Sequence, residues 1–191
     1  MLIPEDDERR TLAVSSISNE MFEDEEFLEE IKRGQEEIVF PKIKNILEDY
    51  FSELIGERIA FKDMMNSWEE AIKVAAGPLL KEGFIKQEYM DAMIQNVHVN
   101  GAYMIIVPGF AMPHARPECG AVKTGMSILH LKEPVEFPEE QKVQVLLALA
   151  AADANVHLDA MADLAEILID DDKMERLFGA KEASQIREVF E

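Results

Sequence analysis

Four histidines and one cysteine are the residues of this chain best suited to nucleophilic or acid–base chemistry. They are His98, His114, His130, His157 and Cys119. A single cysteine excludes an internal disulfide framework and a zinc site built from several cysteines. Two histidines without a clear third ligand also make a weak metal site, so the sequence predicts no metal centre.

His114 lies in the segment "VPGFAMPHARPEC", which follows the apolar run "YMII". Pro113 fixes the backbone just before the histidine and lacks an amide donor, while Gly109 permits unusual dihedral angles upstream. Short loops at the ends of strands often carry binding and catalytic groups. A histidine held in this way has little freedom and one open side, so His114 is a candidate nucleophile. From the pattern alone, a purely structural loop is an equal alternative.

His157 falls in the first turn of the predicted helix "DANVHLDAMADL", where Asp153 or Asn155 can act as the N-cap. A helix N-terminus presents free N–H groups and a partial positive charge, which together favour an anion and disfavour a protonated imidazole. Paired with His114 across two strand ends, His157 would suit a phosphoryl group better than a metal. The alternative is that His157 only packs at the start of the helix.

The other two histidines are predicted to have structural roles. His98 ends a predicted helix, where the C-terminal dipole favours a protonated imidazole on the surface. His130 lies in the middle of the predicted strand "SILHL", and strand alternation would let it face solvent or a neighbouring strand.

Composition divides the chain near residue 55. Residues 20–55 are rich in glutamate and have the apolar spacing of amphipathic helices, so residues 1–54 are predicted to be an acidic helical appendage or linker. Residues 55–191 then form the domain that carries the histidines.

Within that domain, apolar runs and helical patterns alternate. Strands are predicted at 58–61, 103–108, 124–131 and 143–151, and the last of these is continuously apolar and therefore a central strand covered on both faces. Helices are predicted at 67–85, 87–98, 153–170, 174–180 and 182–191. The first begins with Ser67 as N-cap and Glu70 three residues later, which is a capping box. The pattern indicates an α/β sandwich.

Charge and hydropathy limit the classes of partner that the chain can bind and the compartment in which it is expected. The chain has 39 acidic against 19 basic residues and a formal net charge of −20, so nucleic acid is a poor partner. The acidic surface would steer a basic protein partner, or it only keeps the chain soluble. The start of the chain lacks the pattern of a signal peptide, and the longest apolar run, 145–152, is too short to cross a bilayer. A reduced, cytoplasmic location is expected.

Two stretches carry a resemblance to a known family. They are "VPGFAMPHARPECGAVKTGMSILHLKEPVEF" and, downstream, "LALAAADANVHLDAM". Together they resemble the enzyme IIA component of the bacterial phosphoenolpyruvate-dependent sugar phosphotransferase system. Within that system they are similar to the mannitol/fructose superfamily, and most similar to its ascorbate-type branch. The resemblance covers about residues 55–191, and its core "PGxAMPHxRPExG" followed by "KTG" is a specific signature.

The resemblance implies a fold and a role for each matching position. The fold is a three-layer α/β sandwich, in which a mixed central sheet is flanked by helices, here with an extra N-terminal helical segment. His114 stands where the family carries its phosphohistidine, which accepts phosphate from the carrier protein HPr and passes it to a IIB domain. His157 stands where a second histidine helps to hold the phosphoryl group. The chain would serve a membrane IIC permease indirectly and would need no cofactor, and homodimer formation is left open.

Four further residues near His114 are candidates for binding phosphate or a partner protein. They are Pro113, which restricts the loop, and Arg116, Lys123 and Thr124, each of which could equally be a surface residue. The chain also departs from mannitol-type members, which carry an arginine on the helix before the active loop. Here that neighbourhood contains Asn96 and His98 and no arginine.

Two other classes of function are alternatives to the phosphocarrier, and two classes of enzyme are disfavoured. The acidic N-terminal stretch faintly resembles the segment that precedes IIA domains in multidomain transcriptional regulators, so the alternative is a regulatory module phosphorylated on the same histidine. A further alternative is a non-catalytic interaction domain. A serine hydrolase is disfavoured because Gly-x-Ser-x-Gly is missing, and a nucleotide-binding enzyme because no glycine-rich phosphate loop is present.

Overall fold

A five-stranded mixed sheet is the framework of the computed structural model, which describes residues 53–152, 164 and 167–190. The strands are β1 Ile59–Lys62, β2 Ile105–Val107, β3 Gly109–Ala111, β4 Gly125–Phe137 and β5 Gln141–Ala150. The helices with full bounds are α1 Trp68–Lys81, α2 Gln87–Asn100, α3 Asp171–Gly179 and α4 Ala183–Phe190. Predictions for residues 1–52 and for most of the helix at 153–170 lie outside the described residues. None of the described helices is long and apolar enough to cross a bilayer.

The strand order β1-β4-β5-β3-β2 places β5 at the centre of the sheet. β1 runs parallel to β4 and β3 runs parallel to β5, whereas the pairs β4–β5 and β2–β3 are antiparallel. The continuously apolar run that predicts a central strand is therefore confirmed by β5, whose residues 145–150 are all buried. β3 and β5 end at the same edge, and the segment that contains His114 leaves the sheet there.

The sheet is covered on both faces, which confirms the predicted three-layer α/β sandwich. Leu129 and Leu131 of β4 belong to the core that α1 and α2 cover. The ring of His130, between them, lies 3.1 Å from the carbonyl oxygen of Leu177 in α3. Because successive side chains of a strand point to opposite faces, α3 packs on the face opposite to α1 and α2.

Helix α1 begins as the capping pattern predicts. The hydroxyl oxygen of Ser67 accepts a hydrogen bond from the amide of Glu70 at 3.3 Å. The Glu70 carboxylate turns back to Asn66, from which it accepts hydrogen bonds of 3.3 Å from the amide and 3.0 Å from the side chain, rather than to Ser67. In the standard capping box this carboxylate accepts from the N-cap residue itself, so here the return hydrogen bond comes from one residue further upstream.

Two strands differ from their predicted bounds. The predicted strand at 103–108 is a hairpin, because Pro108 ends β2 and Gly109, at φ +87°, starts β3 in the reverse direction. The predicted strand at 124–131 continues as β4 to Phe137, through Pro134. The pairing of β4 with β5 shifts register between His130 and Val135, and a proline is tolerated in a sheet at such an irregularity.

Candidate functional site

The loop that carries His114 is fixed by main-chain hydrogen bonds at the two residues directly before the histidine. The amide of Met112 donates to the carbonyl oxygen of Met104 at 2.8 Å, and the amide of Leu149 donates to the carbonyl oxygen of Pro113 at 3.0 Å. The second bond ties the loop directly to the end of the central strand. The position of His114 is therefore set by the sheet rather than by the loop side chains.

The His114 ring is oriented by a contact with its own loop. Its Nδ1 atom lies 2.8 Å from the carbonyl oxygen of Met112. Since a carbonyl oxygen can only accept a hydrogen bond, Nδ1 is the protonated nitrogen of this pair. In the neutral ring, Nε2 then carries the lone pair, which is what a nucleophilic imidazole requires.

His114 lines a cavity of about 810 Å³ between the end of α2 and the loop. Asn96 and Asn100, one helical turn apart on α2, line it together with Tyr103. The Tyr103 ring meets the His114 ring edge-on, with the ring centroids 5.9 Å apart and the planes at 75°. The Asn96 amide makes a long contact of 3.5 Å with the carbonyl oxygen of His114.

The charges around this cavity nearly cancel. Arg116 is the only cationic side chain in the described lining, and Glu118 the only carboxylate. Burial raises the pKa of Tyr103, and a hydrogen bond with Asn96 offsets part of this effect, so the phenol stays neutral near pH 7. The cavity therefore offers amide, guanidinium and hydroxyl donors, but little excess positive charge, to an anion on His114.

The structure brings some of the predicted site residues together. Pro113 is buried just before His114, and Arg116 is exposed and lines the same cavity. Lys123 instead lies over the ring of Phe84, 5.7 Å from its centroid.

Thr124 contributes nothing to the described lining. Its hydroxyl oxygen accepts a hydrogen bond from the amide of Ala152 at 3.1 Å, two residues after the end of β5. Neither Thr124 nor Lys123 is among the residues that line the His114 cavity. His157 lies outside the described residues.

The remaining histidines have structural environments. His98 is in the last turn of α2, half-exposed, with its ring 4.8 Å from that of Trp68. His130 is only 5% exposed, and its ring lies 5.2 Å, between centroids, from that of Phe61 in the neighbouring strand β1, which is one of the two alternatives that alternation predicts. Its Nε2 lies 3.1 Å from the carbonyl oxygens of both Leu177 and Phe178 at the end of α3. Because α3 covers this face of the sheet, His130 also bonds to the main chain of that helix.

Several residues in or next to the cavity carry no signal in the sequence that would identify them. Tyr103 has no motif that would identify it, and Asn100 becomes significant only through its spacing from Asn96 on one face of α2. Tyr89 has no such signal either, although its hydroxyl lies 2.8 Å from the carbonyl oxygen of Ala115. Among the described residues, no three His, Cys, Asp or Glu side chains are grouped as metal ligands.

Comparison with known proteins identifies relatives over the same part of the chain. Residues 54–191 match the family described as "Phosphoenolpyruvate-dependent sugar phosphotransferase system, EIIA 2". A mannitol-specific cryptic phosphotransferase enzyme IIA component of Escherichia coli K12 is 39% identical over 145 residues, which are 75% of this chain and 97% of that protein. An ascorbate-specific EIIA component of Salmonella choleraesuis is 34% identical over 129 residues, which are 66% of this chain and 84% of that protein.

A solved structure extends the similarity to three dimensions. It is a complex of the mannitol enzyme IIA and phosphorylated enzyme IIB from Escherichia coli. The matched chain is 27% identical with a TM-score of 0.62, and the alignment covers 71% of this chain and 94% of the matched chain.

Proposed function

Because the chain belongs to the EIIA type 2 family of the phosphoenolpyruvate-dependent sugar phosphotransferase system, we propose that it is a phosphocarrier that uses His114. It takes phosphate from phospho-HPr and passes it to a IIB domain of an ascorbate-like or related sugar system. The observation that carries the proposal is the His114 ring, which lines a cavity while the carbonyl oxygen of Met112 holds its Nδ1 as the donor nitrogen.

The transfer is an in-line displacement between two imidazole nitrogens. The lone pair on Nε2 of His114 attacks the phosphorus of phospho-HPr, and a new N–P bond forms as the bond to the donor imidazole breaks. The electron pair of the broken bond returns to the donor nitrogen, which leaves the histidine of HPr as a neutral imidazole. His114 is then the leaving group when a IIB side chain attacks the phosphorus. The new bond from that side chain forms as the N–P bond breaks, and the electron pair of the broken bond returns to Nε2 of His114. Such a reaction depends mainly on positioning and on stabilising the charge of the equatorial oxygens.

The described donors for those oxygens come from two elements. Arg116 on the loop and the two α2 amides of Asn96 and Asn100 line the same cavity as His114. We propose that His157 adds an imidazole donor, and that Pro113 limits the motion of the loop. Lys123 and Thr124 stay predictions for partner contact, since both lie outside the described lining of the cavity.

The solved complex of a similar enzyme IIA with phosphorylated IIB supports a IIB protein as the acceptor. The described residues that line the His114 cavity are nearly neutral in sum. A partner that supplies its own phosphate-binding donors would therefore complete the transition-state environment.

The test is phosphorylation of the full chain with phosphoenolpyruvate, enzyme I and HPr, read as acid-labile phosphate by intact-mass spectrometry. We expect one phosphate on the wild-type chain and none on His114→Ala. His98→Ala is the matched control, because His98 is a half-exposed histidine outside the cavity, and it should be labelled normally. Stoichiometric acid-labile phosphate on His114→Ala would overturn the assignment.

A second step separates transport from regulation. The phosphorylated chain is mixed with ascorbate-type and mannitol-type IIB domains, and the loss of label is followed with time. We expect rapid transfer to at least one of them, and slower transfer by His157→Ala with its fold retained. Normal labelling without transfer to any IIB domain would favour the regulatory module. Unchanged kinetics of His157→Ala in both directions would refute the role of His157.

A further inference from the structure

A second cavity, of about 680 Å³, lies where the ends of β1 and α3 meet the middle of β4. None of its lining residues belongs to the His114 cavity. Its volume is within the range of small-molecule binding sites in proteins. It is therefore a separate concave site that phosphate transfer on His114 does not use.

Three lysines, Lys62, Lys132 and Lys181, line this cavity in a strongly acidic chain, while Asp63 is the only carboxylate in the described lining. Lys62 pairs with Leu131, so its side chain points to the face of α1 and α2. Lys132 and Lys181 are therefore the lysines that can present their ammonium groups to the cavity. None of the three ammonium groups forms an ion pair with a carboxylate in the described part of the chain, where every ion pair involves an arginine or His98. The lining thus has a local positive excess, although the whole chain carries a formal charge of −20. Such a cluster favours a ligand with a phosphate group.

His130 supplies a buried acceptor in the same cavity. Its Nε2 is the donor to the carbonyl oxygens of Leu177 and Phe178, so in the neutral ring the lone pair is on Nδ1. Nδ1 has no hydrogen-bond partner among the described residues, where no fully buried side-chain nitrogen or oxygen lacks one. Nδ1 is therefore accessible, and the cavity that His130 lines is where it can meet a ligand.

The rest of the lining determines what this ligand carries besides its phosphate. Burial lowers the pKa of His130, which keeps the ring neutral and Nδ1 an acceptor. The Asp63 carboxylate is a second acceptor, and both acceptors require a ligand that donates hydrogen bonds. The Gln144 amide already donates to the Phe178 carbonyl at 3.0 Å, which helps to fix this wall.

We propose that the lysine-lined cavity at His130 binds a phosphorylated sugar or polyol, with its phosphate on Lys132 and Lys181 and its hydroxyl groups on His130 and Asp63. The proposal goes beyond the phosphocarrier function and does not depend on it. It assigns this chain a small-molecule site on the face of the sheet opposite to α1 and α2.

The test is calorimetric titration of the full chain, at low ionic strength, with glucose 6-phosphate, glucose and inorganic phosphate. We expect saturable binding of glucose 6-phosphate at a single site, weaker binding of inorganic phosphate, and no binding of glucose. In the double variant Lys132→Gln/Lys181→Gln the affinity should fall by about tenfold or more, because two charge-assisted hydrogen bonds are lost. The double variant Lys73→Gln/Lys142→Gln removes the same charge from exposed lysines outside the cavity and should bind normally.

NMR spectroscopy of the histidine rings shows where the ligand binds. Glucose 6-phosphate should shift the imidazole resonances of His130 and leave those of His98 unchanged. Absence of binding by every probe would overturn the proposal, as would equal binding by the two double variants. Inorganic phosphate binding as tightly as glucose 6-phosphate would refute the role of the hydroxyl acceptors. Labelling of His114 by phospho-HPr should be normal in both double variants, so failure here is distinguishable from failure of the phosphocarrier function.

Discussion

The hydroxyl group of Tyr89 lies 2.8 Å from the carbonyl oxygen of Ala115, the residue directly after His114. The same hydroxyl lies 3.1 Å from the carbonyl oxygen of Leu149 in β5. Tyr89 is fully buried, and burial raises its pKa, so the phenol keeps its proton and its donor at neutral pH. One buried side chain of α2 thus joins the His114 loop to the central strand.

Replacing Tyr89 with phenylalanine should remove this link while keeping the ring. Both carbonyl oxygens lose their shared donor in a buried place, so the free energy of unfolding should fall by about 1–3 kcal/mol. Labelling of His114 by phospho-HPr should also slow, because the loop is less firmly held. Urea denaturation and time-resolved mass spectrometry measure the two effects. A variant as stable as the wild type would show that the hydrogen bond contributes nothing.

Tyr103 is expected to orient the His114 ring through its own ring rather than its hydroxyl. The edge-on contact at 5.9 Å is lost in Tyr103→Ala and retained in Tyr103→Phe. We expect phosphate transfer to slow by roughly 2–10-fold in the alanine variant and to change little in the phenylalanine variant. Single-turnover transfer from phospho-HPr is the measurement. Equal losses in the two variants would assign the effect to the hydroxyl and to Asn96 instead.

Gly109 is expected to tolerate no side chain. Its φ of +87° strains an L-residue, and a Cβ atom there would lie 2.9 Å from the Phe178 ring. Gly109→Ala should lower the free energy of unfolding by about 1–3 kcal/mol. Gly77→Ala in α1 is the control, because a Cβ at that position meets nothing within 4 Å, and it should stabilise the chain by about 0.5–1 kcal/mol. A Gly109→Ala variant as stable as the wild type would contradict the packing of Phe178.

His130 should make stability fall on acidification. Burial lowers its pKa below the usual value of 6.5, although the hydrogen bonds to the α3 carbonyl oxygens oppose this shift. The unfolded chain then binds a proton at a higher pH than the folded chain, so the free energy of unfolding decreases as the pH falls below about 6.5. The decrease from one proton is at most about 1.4 kcal/mol per pH unit.

The measurement for His130 is urea denaturation between pH 7 and pH 5, compared with His130→Gln. Glutamine can still donate to the carbonyl oxygens of Leu177 and Phe178 but does not titrate. The difference in stability between the two chains should therefore shrink or reverse as the pH falls. A constant difference across this range would show that the pKa of His130 is not lowered.

The central layers of the fold are predictable from sequence because their signals are local. The apolar run of β5 and the Ser67 cap of α1 depend only on neighbouring residues. The β2–β3 hairpin is not predictable in this way, since "YMIIVP" is as apolar as a single strand and only the pairing with β5 shows where the chain reverses. The continuation of β4 through Pro134 also depends on a register shift against its neighbour.

The residues of the candidate site also divide into those with a local sequence signal and those without one. His114 and Pro113 are recognisable because a sequence motif contains them. Tyr89 in α2 lies 25 positions before His114, and Tyr103, in the turn after α2, lies 11 positions before it. Both contact the His114 loop only through tertiary packing, which no local pattern encodes. The environment of His130 likewise requires knowledge that α3 covers its face of the sheet.

The main-chain bonds at Met112 and Pro113 have a consequence for engineering this molecule. Because the course of the loop is secured through backbone atoms and one tyrosine, the outward-facing carboxylate of Glu118 is separable from the scaffold. Exchanging it is a route to change which protein docks beside the His114 cavity while the imidazole keeps its place.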